Sequence, residues 1–235
     1  MDYNKEYAFE LKNINKYYSS NNDNEQDLHI LNDINLSVKK GEMVAITGSS
    51  GSGKSTLLHI GAMLDNAESG TVQIAGKMFD AKIAAKQQDI NLLRLENVGF
   101  VYQYHYLINS FNVIDNVAMP LYIKNIGKSD ARAKAMDILK QLNLAELANK
   151  SVLKLSGGQK QRVSVARSLV NNPKIIFADE PTGNLDNQLT HQLFEIFTNL
   201  AKKQGSSIIM VTHNIDLSKM MDKSYILSKG KLIAV

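Results

Sequence analysis

The sequence predicts an α/β domain: a parallel-rich sheet with helices on its faces, an antiparallel β segment ahead of it and a helical insertion within it. Three observations predict this. Apolar, strand-length runs alternate with helical spacing towards both ends of the chain. Between residues 103 and 171 the helical period continues with no strand signal. The run Met43-Val44-Ala45-Ile46-Thr47 passes directly into a glycine-rich loop that opens a helix. A length of 235 residues suits one large domain, or a domain with an inserted subdomain.

In chain order, strands are expected near Phe9 to Tyr18 and Leu28 to Val38, joined by the polar hairpin loop Ser19 to Asp27. After the Met43 strand comes a helix through Leu57, Leu58, Ile60, Gly61 and Leu64. A strand near Thr71 to Ala75, a helix ending near Glu96 and a buried strand from Val98 to Tyr102 follow. Helical spacing then covers Val113 to Ile123, Ser129 to Leu142 and Ser156 to Val170, with Ser129-Asp130 placed to cap the second. Strands return at Lys174 to Asp179, Ser207 to Thr212 and Lys223 to Leu227, with a helix from about Gln188 to Lys203.

Composition narrows the function. The chain is 44% hydrophobic and 21% charged, with 3 prolines and 14 glycines, as an ordered globular chain is. It has no cysteine, which excludes disulfides and thiolate metal sites and fits a reducing compartment. The net charge of +4 comes from dispersed residues, with no basic block for nucleic acid or an anionic membrane, so no nucleic-acid partner is expected. The start, Met1 to Glu6, has no apolar run, so no signal peptide is expected. The longest apolar stretches, such as Ile208-Ile209-Met210-Val211, fall far short of the ~20 residues of a membrane span. No direct membrane insertion is expected, and any membrane role must pass through a partner.

Gly48-Ser49-Ser50-Gly51-Ser52-Gly53-Lys54-Ser55-Thr56 fits the phosphate-loop pattern G-x-x-x-x-G-K-S/T. Glycines let the backbone curl so that successive N–H groups face phosphate oxygens, with a helix N-terminus behind them. Lys54 then supplies charge to the β- and γ-phosphates, and the Ser55 hydroxyl suits Mg2+. A strand before the loop and a helix after it separate this reading from a serine-glycine linker. The second element is Ile175-Ile176-Phe177-Ala178-Asp179-Glu180, an apolar strand ending in two acids. At the carboxyl end of a parallel strand, Asp179 is placed to hold Mg2+ and Glu180 to act as general base on the attacking water.

The third element, Leu155-Ser156-Gly157-Gly158-Gln159, opens a helix containing Lys160, Gln161 and Arg162. It resembles the signature motif of ATP-binding cassette (ABC) proteins, and the resemblance covers the whole chain. It implies a P-loop NTPase, RecA-like core with an N-terminal antiparallel β subdomain and an inserted helical subdomain. The division implied is a single domain over 1–235, with 1–102 and 172–235 as nucleotide-binding core and β subdomain, and 103–171 as the helical signature subdomain. By the same resemblance Gln103 is the glutamine that touches metal and water, and Asn184-Leu185-Asp186 is the D-loop. His213 is the switch that senses the γ-phosphate. The residue after that histidine is usually acidic in the family and is Asn214 here. Tyr18 or its neighbour Tyr17 is the aromatic for adenine, with strand register favouring Tyr18.

The resemblance further implies a head-to-tail homodimer. Each ATP would lie between the Lys54 loop of one copy and Ser156, Gly157, Gly158 and Gln159 of the other, with Asp186 at the same interface. The coupling region, Tyr102-Gln103-Tyr104-His105-Tyr106-Leu107 followed by Asn116-Val117-Ala118-Met119-Pro120-Leu121, is similar to the branch whose ATPases serve lipoprotein release. MacB-type efflux or peptide export and FtsE-type signalling in cell division are the alternatives. The implied setting is the cytoplasmic face of the inner membrane, on integral permease subunits of the lipoprotein-releasing (LolC/LolE) type. Tyr104, His105, Tyr106 and Phe111 either pack locally or present an anchor to that permease.

Overall fold

The computed structural model describes residues 6–18, 28–83, 88–183 and 185–235. The expected loop of residues 19–27, the N-terminal stretch 1–5 and Asn184 lie outside the described residues.

Two sheets carry the fold. A four-stranded antiparallel sheet has the order β2-β1-β4-β5, built from β1 (Tyr7–Tyr18), β2 (Leu28–Lys39), β4 (Ser69–Ile74) and β5 (Lys77–Asp80). A six-stranded sheet has the order β10-β9-β3-β8-β7-β6. It comprises β3 (Met43–Thr47), β6 (Val98–Val101), β7 (Ile175–Asp179), β8 (Ser207–Val211), β9 (Lys223–Ser228) and β10 (Lys231–Ala234). All its pairings are parallel except the edge pair β9–β10. Parallel strands buried on both faces need apolar residues throughout, and β7 and β8 are buried at every position.

The pleat sends alternate residues to opposite layers. Val44, Ile46, Ile175, Phe177, Ile209 and Val211 join a core with the antiparallel sheet and helix α1 (Lys54–Gly61). Met43, Ala45, Ile176, Ala178, Ile208 and Met210 join the other core, under α3 (Val113–Ile123), α4 (Lys128–Gln141), α5 (Gly157–Leu169) and α6 (Asn187–Asn199). Phe9 of β1 meets Phe177 of β7 edge to face at 5.3 Å and 79°, tying the two sheets together. Removing the Phe177 ring would cost about 3–5 kcal/mol. The short helix α2 (Gln88–Asn97) precedes β6, and α7 (Ile215–Lys219) follows β8.

Two features need correction. The helix α4 begins at Lys128 with Gly127 as its N-cap, and neither Ser129 nor Asp130 caps it. Packing sets the start: Ala131, Ala135 and Leu139 form the buried stripe, and the Gly127 carbonyl accepts from Ala131 N at 2.9 Å. The strands β5 and β10 and the helix α7 add to the expected elements. Both strands close two-residue hairpins whose central residues are left-handed, Ala75 (φ 52°) with Gly76 (φ 81°) and Lys229 (φ 49°) with Gly230 (φ 71°).

Asn116, near the start of α3, is fully buried and holds the segment that links β6 to that helix. Its Oδ1 accepts from Ile108 N at 2.7 Å, and its Nδ2 donates to the carbonyls of Ile108, Phe111 and Asn112. Asn112 caps α3 by accepting from Asp115 N at 2.9 Å. Asp115 in turn receives Arg132 at 2.9 and 3.0 Å and the Tyr122 hydroxyl at 2.7 Å, which staples α3 to α4. Burial and then the adjacent Asp115 push the Tyr122 phenol up to about 12.

Candidate functional site

Parallel pairing puts the carboxyl ends of β3, β6, β7 and β8 on one edge of the sheet. The chain there delivers Gly48, Gln103, Glu180 and His213 respectively. A pocket of about 280 Å³ collects Tyr18, Lys54, Gln103, Asp179, Glu180 and His213, together with Ser50, Gly51, Gly53, Ser55 and Thr56.

The loop is shaped by its glycines. Gly48 sits at φ 146°, and a Cβ there would lie 2.4 Å from the Leu227 carbonyl oxygen. Gly53, at φ 98°, is the N-cap of α1 and leaves the first turn without a side-chain cap, so its N–H groups stay available to an anion. Lys54 is buried, and its Nζ donates to the carbonyls of Gly48 at 2.9 Å and Ser49 at 2.8 Å, which holds the charge inside its own loop. Ser52 Oγ is buried there without a hydrogen-bond partner.

Glu180 lies just past β7 with φ 46°, a left-handed backbone that costs a non-glycine residue about 1–3 kcal/mol and collects at functional sites. Its N–H bonds the Val211 carbonyl at 3.0 Å, anchoring the strained residue to β8. Oε2 accepts from His213 N at 3.3 Å. Oε1 lies 3.1 Å from His213 Nε2, but the approach is not aligned for a hydrogen bond and the buried oxygen stays unpartnered. Burial pushes the Glu180 carboxyl above its usual range, and Asp179 adds to this, while His213 and Lys54 oppose it. A half-buried base with a raised pKa and an oxygen that makes no hydrogen bond is better suited than an ordinary carboxylate to accept a proton from water.

The residues also fit a hard cation beside the phosphates. Ser55, Asp179 and Gln103 line one pocket and offer a hydroxyl, a carboxylate and an amide oxygen. Among the described residues there is no group of three His, Asp or Glu that could form a closed metal cage. A sparse oxygen set of this kind matches Mg2+, which keeps several waters and is shared with substrate phosphates.

Tyr18 lines the pocket, 3.4 Å from Thr56 Oγ1 through its hydroxyl, and is 46% exposed. Tyr17 points to the other face of β1 and stacks on His29 at 4.0 Å. Ser49 is exposed in the loop. Asn214 caps α7 through its side chain, accepting from Asp216 N and Leu217 N.

Ser156, Gly157, Gly158, Gln159 and Asp186 do not line this pocket. Ser156 and Gln159 form a reciprocal capping box, with Gln159 N donating to Ser156 Oγ at 3.3 Å and Ser156 N to Gln159 Oε1 at 3.0 Å. Ser156 and Gly157 are exposed. Asp186 caps α6, accepting from Leu189 N at 2.8 Å. Within one chain, then, two separate surfaces carry the predicted phosphate contacts.

A larger groove of about 920 Å³ opens between α2, β6, α3 and α5. Leu92, Phe100, Tyr102 and Ile123 give it an apolar lining, and Arg94 and Arg167 add two cations. Of the four aromatics expected near a partner, Tyr106 lines the groove and Tyr104 lies beside it, 69% exposed and edge-on to Tyr106 at 6.4 Å. His105 and Phe111 are partly buried. Sequence reasoning missed Ile30, which lines the nucleotide pocket and abuts Gly53, and both groove arginines. An arginine in an amphipathic helix carries no sign of what it grips.

The model of the ABC transporter family matches residues 31–183. The lipoprotein-releasing system ATP-binding protein LolD of Rickettsia felis is 46% identical over 222 residues, 94% of this chain and 96% of that protein. The protein of the same name from Wigglesworthia glossinidia brevipalpis is 42% identical over 221 residues, 94% of each chain. Among solved structures, the dimeric post-hydrolysis state of the ATP-binding cassette MJ0796 bound to ADP and Pi superposes with TM-score 0.87. It shares 34% identity and covers 95% of this chain and 96% of the other.

Proposed function

We infer, for a chain that belongs to the ABC transporter family, that two copies hydrolyse ATP to drive release of lipoproteins from the inner membrane. Likeness to lipoprotein-releasing ATPases over nearly the whole chain carries this reading above efflux or signalling. No helix among the described residues is long and apolar enough to cross a membrane. The likeness to lipoprotein-releasing ATPases supports a place at the cytoplasmic face, on permease subunits of the LolC/LolE type. The 920 Å³ groove beside Tyr106 is the surface proposed to receive the permease's cytoplasmic segment.

Each residue has a proposed task. Tyr18 stacks on adenine. The Gly48–Thr56 loop wraps the phosphates with its amides, and Lys54 turns from its own carbonyls to meet their charge. Ser55, Asp179 and Gln103 hold Mg2+, which supplies neutralisation of the phosphate charge. Glu180 takes the proton from the attacking water, and His213 beside it meets the γ-phosphate and orients the carboxylate. Ser156, Gly157, Gly158 and Gln159 of the second copy complete the site, with Asp186 at the same interface. The separation of these residues from the Lys54 pocket within one chain supports that arrangement. So does the dimeric form of the MJ0796 cassette.

Two experiments test this. Mixing Lys54→Ala with Ser156→Arg copies restores part of the ATPase activity, because one interface then has both intact halves. No recovery in heterodimers that demonstrably form contradicts the shared site. Co-purification with a permease bearing a periplasmic lipoprotein-binding domain, and ATP-dependent release by that complex, supports the transport role. An FtsX-like partner in its place opposes it.

A further inference from the structure

The loop after Gln103 is tied to the helix that Ser156 caps, and one side chain makes the tie. Arg167 stands on the groove side of α5, late in the helix. Its two terminal nitrogens donate to successive carbonyls of the loop, His105 O at 2.8 Å and Tyr106 O at 2.7 Å. A planar guanidinium meets two neighbouring acceptors from a rigid fork of parallel N–H groups, a fixed geometry that a lysine ammonium on its flexible stem lacks. The gripped residue is unusual: Tyr106 has φ 43°, a left-handed backbone that a bulky aromatic adopts only where its surroundings hold it there. Its ring is held as well, edge-on to Tyr102 at 5.2 Å. Segment 105–106 is thus fastened to α5 near its C-terminal end, on a helix of 13 residues whose other end is the Ser156 cap.

We propose that Arg167 is a positioning residue that makes the Tyr104–Tyr106 loop and helix α5 move as one body, so that an event in the groove displaces Ser156 at the ATP held by the other copy. The inference rests on the shared site proposed above. The groove lies on one side of the clamp and the Ser156 capping box on the other, with a continuous helix between them. Burial depresses the Arg167 guanidinium's pKa, in keeping with a cation withdrawn from water to hold backbone carbonyls.

The test exploits direction. In heterodimers of differently tagged copies, Glu180→Gln silences one site while leaving that copy's α5 facing the active one. Arg167→Gln placed on the silenced copy should lower the remaining ATPase rate by about tenfold, within the span by which residues along a coupling route change it. The same substitution on the active copy, where its α5 faces the silent site, should change the rate by less than about twofold. Arg167→Lys on the silenced copy, which keeps the charge without the planar fork, should fall between. Equal losses in both placements would reduce Arg167 to a local folding role and overturn the proposal, as would no loss in either. If Arg167→Gln does not fold, Arg167→Lys carries the same comparison. Ser156→Arg on the silenced copy is the control: if it leaves hydrolysis intact, the shared site fails, and the route across the interface fails with it.

Discussion

Gly48 and Gly51 occupy the same loop yet should respond very differently to one added methyl group. Both have positive φ, 146° and 76°, so alanine is strained at either position. At Gly51 nothing lies within 4 Å of the new Cβ, and the cost is conformational alone, about 1–2 kcal/mol. At Gly48 the Cβ would lie 2.4 Å from the Leu227 carbonyl oxygen and 2.9 Å from Ser52 Oγ. The serine can rotate away, but the carbonyl belongs to β9 and cannot. Crowding then adds about 1–3 kcal/mol to a backbone cost of similar size. The loop relieves this by moving, and the amides that face phosphate move with it. A penalty of about 3 kcal/mol weakens ATP binding about a hundredfold, against about tenfold for Gly51→Ala. Titration calorimetry with ATP and Mg2+ reads this directly. Melting of the nucleotide-free variants should show a further loss of about 2–4 °C per kcal/mol retained as strain. If Gly48→Ala binds ATP as tightly as Gly51→Ala, the geometric account of the loop is wrong.

The raised Glu180 carboxyl predicts the pH profile of hydrolysis. The base works deprotonated, so the rate falls as pH drops through a pKa above that of an ordinary glutamate, and an acid limb at or below the ordinary glutamate range contradicts the assignment. His213 is the largest influence opposing burial, so His213→Gln should move the limb to higher pH, and an unmoved limb would separate the two groups. At the groove, Tyr104→Ala and Tyr106→Ala should leave basal ATPase intact while permease-stimulated ATPase and lipoprotein release fall together. Loss of basal activity or folding in both would favour local packing.

Much of this was legible in the residues because the chemistry is local. The parallel strands could be read because they are buried on both faces and therefore almost wholly apolar, as residues 175–178 and 208–211 are. The phosphate loop could be read because its glycines, lysine and serine are adjacent in sequence. The strands β5 and β10 could not. Their burial patterns are largely exposed, and their turns use Ala75-Gly76 and Lys229-Gly230 in place of the usual Asn-Gly. Nor could the cap of α4, because the Ala131–Ala135–Leu139 stripe overrode the favourable Ser129-Asp130 pair. The resemblance supplied Ser156 and His213, whose local sequence would pass for an ordinary helix start and strand end. Arg167 escaped because its partners are carbonyls 61 and 62 residues away, and backbone acceptors leave no trace in sequence.

The central claim is that ATP closes two copies around it and that Glu180 drives the chemistry that lets them part. Size-exclusion chromatography of Glu180→Gln with ATP and Mg2+, read beside its turnover, tests both halves at once. The account predicts ATP binding close to that of the unaltered protein, a stable ATP-bound dimer, and hydrolysis slowed by about a hundredfold or more. A variant that turns over ATP at the normal rate and elutes as a monomer would contradict it.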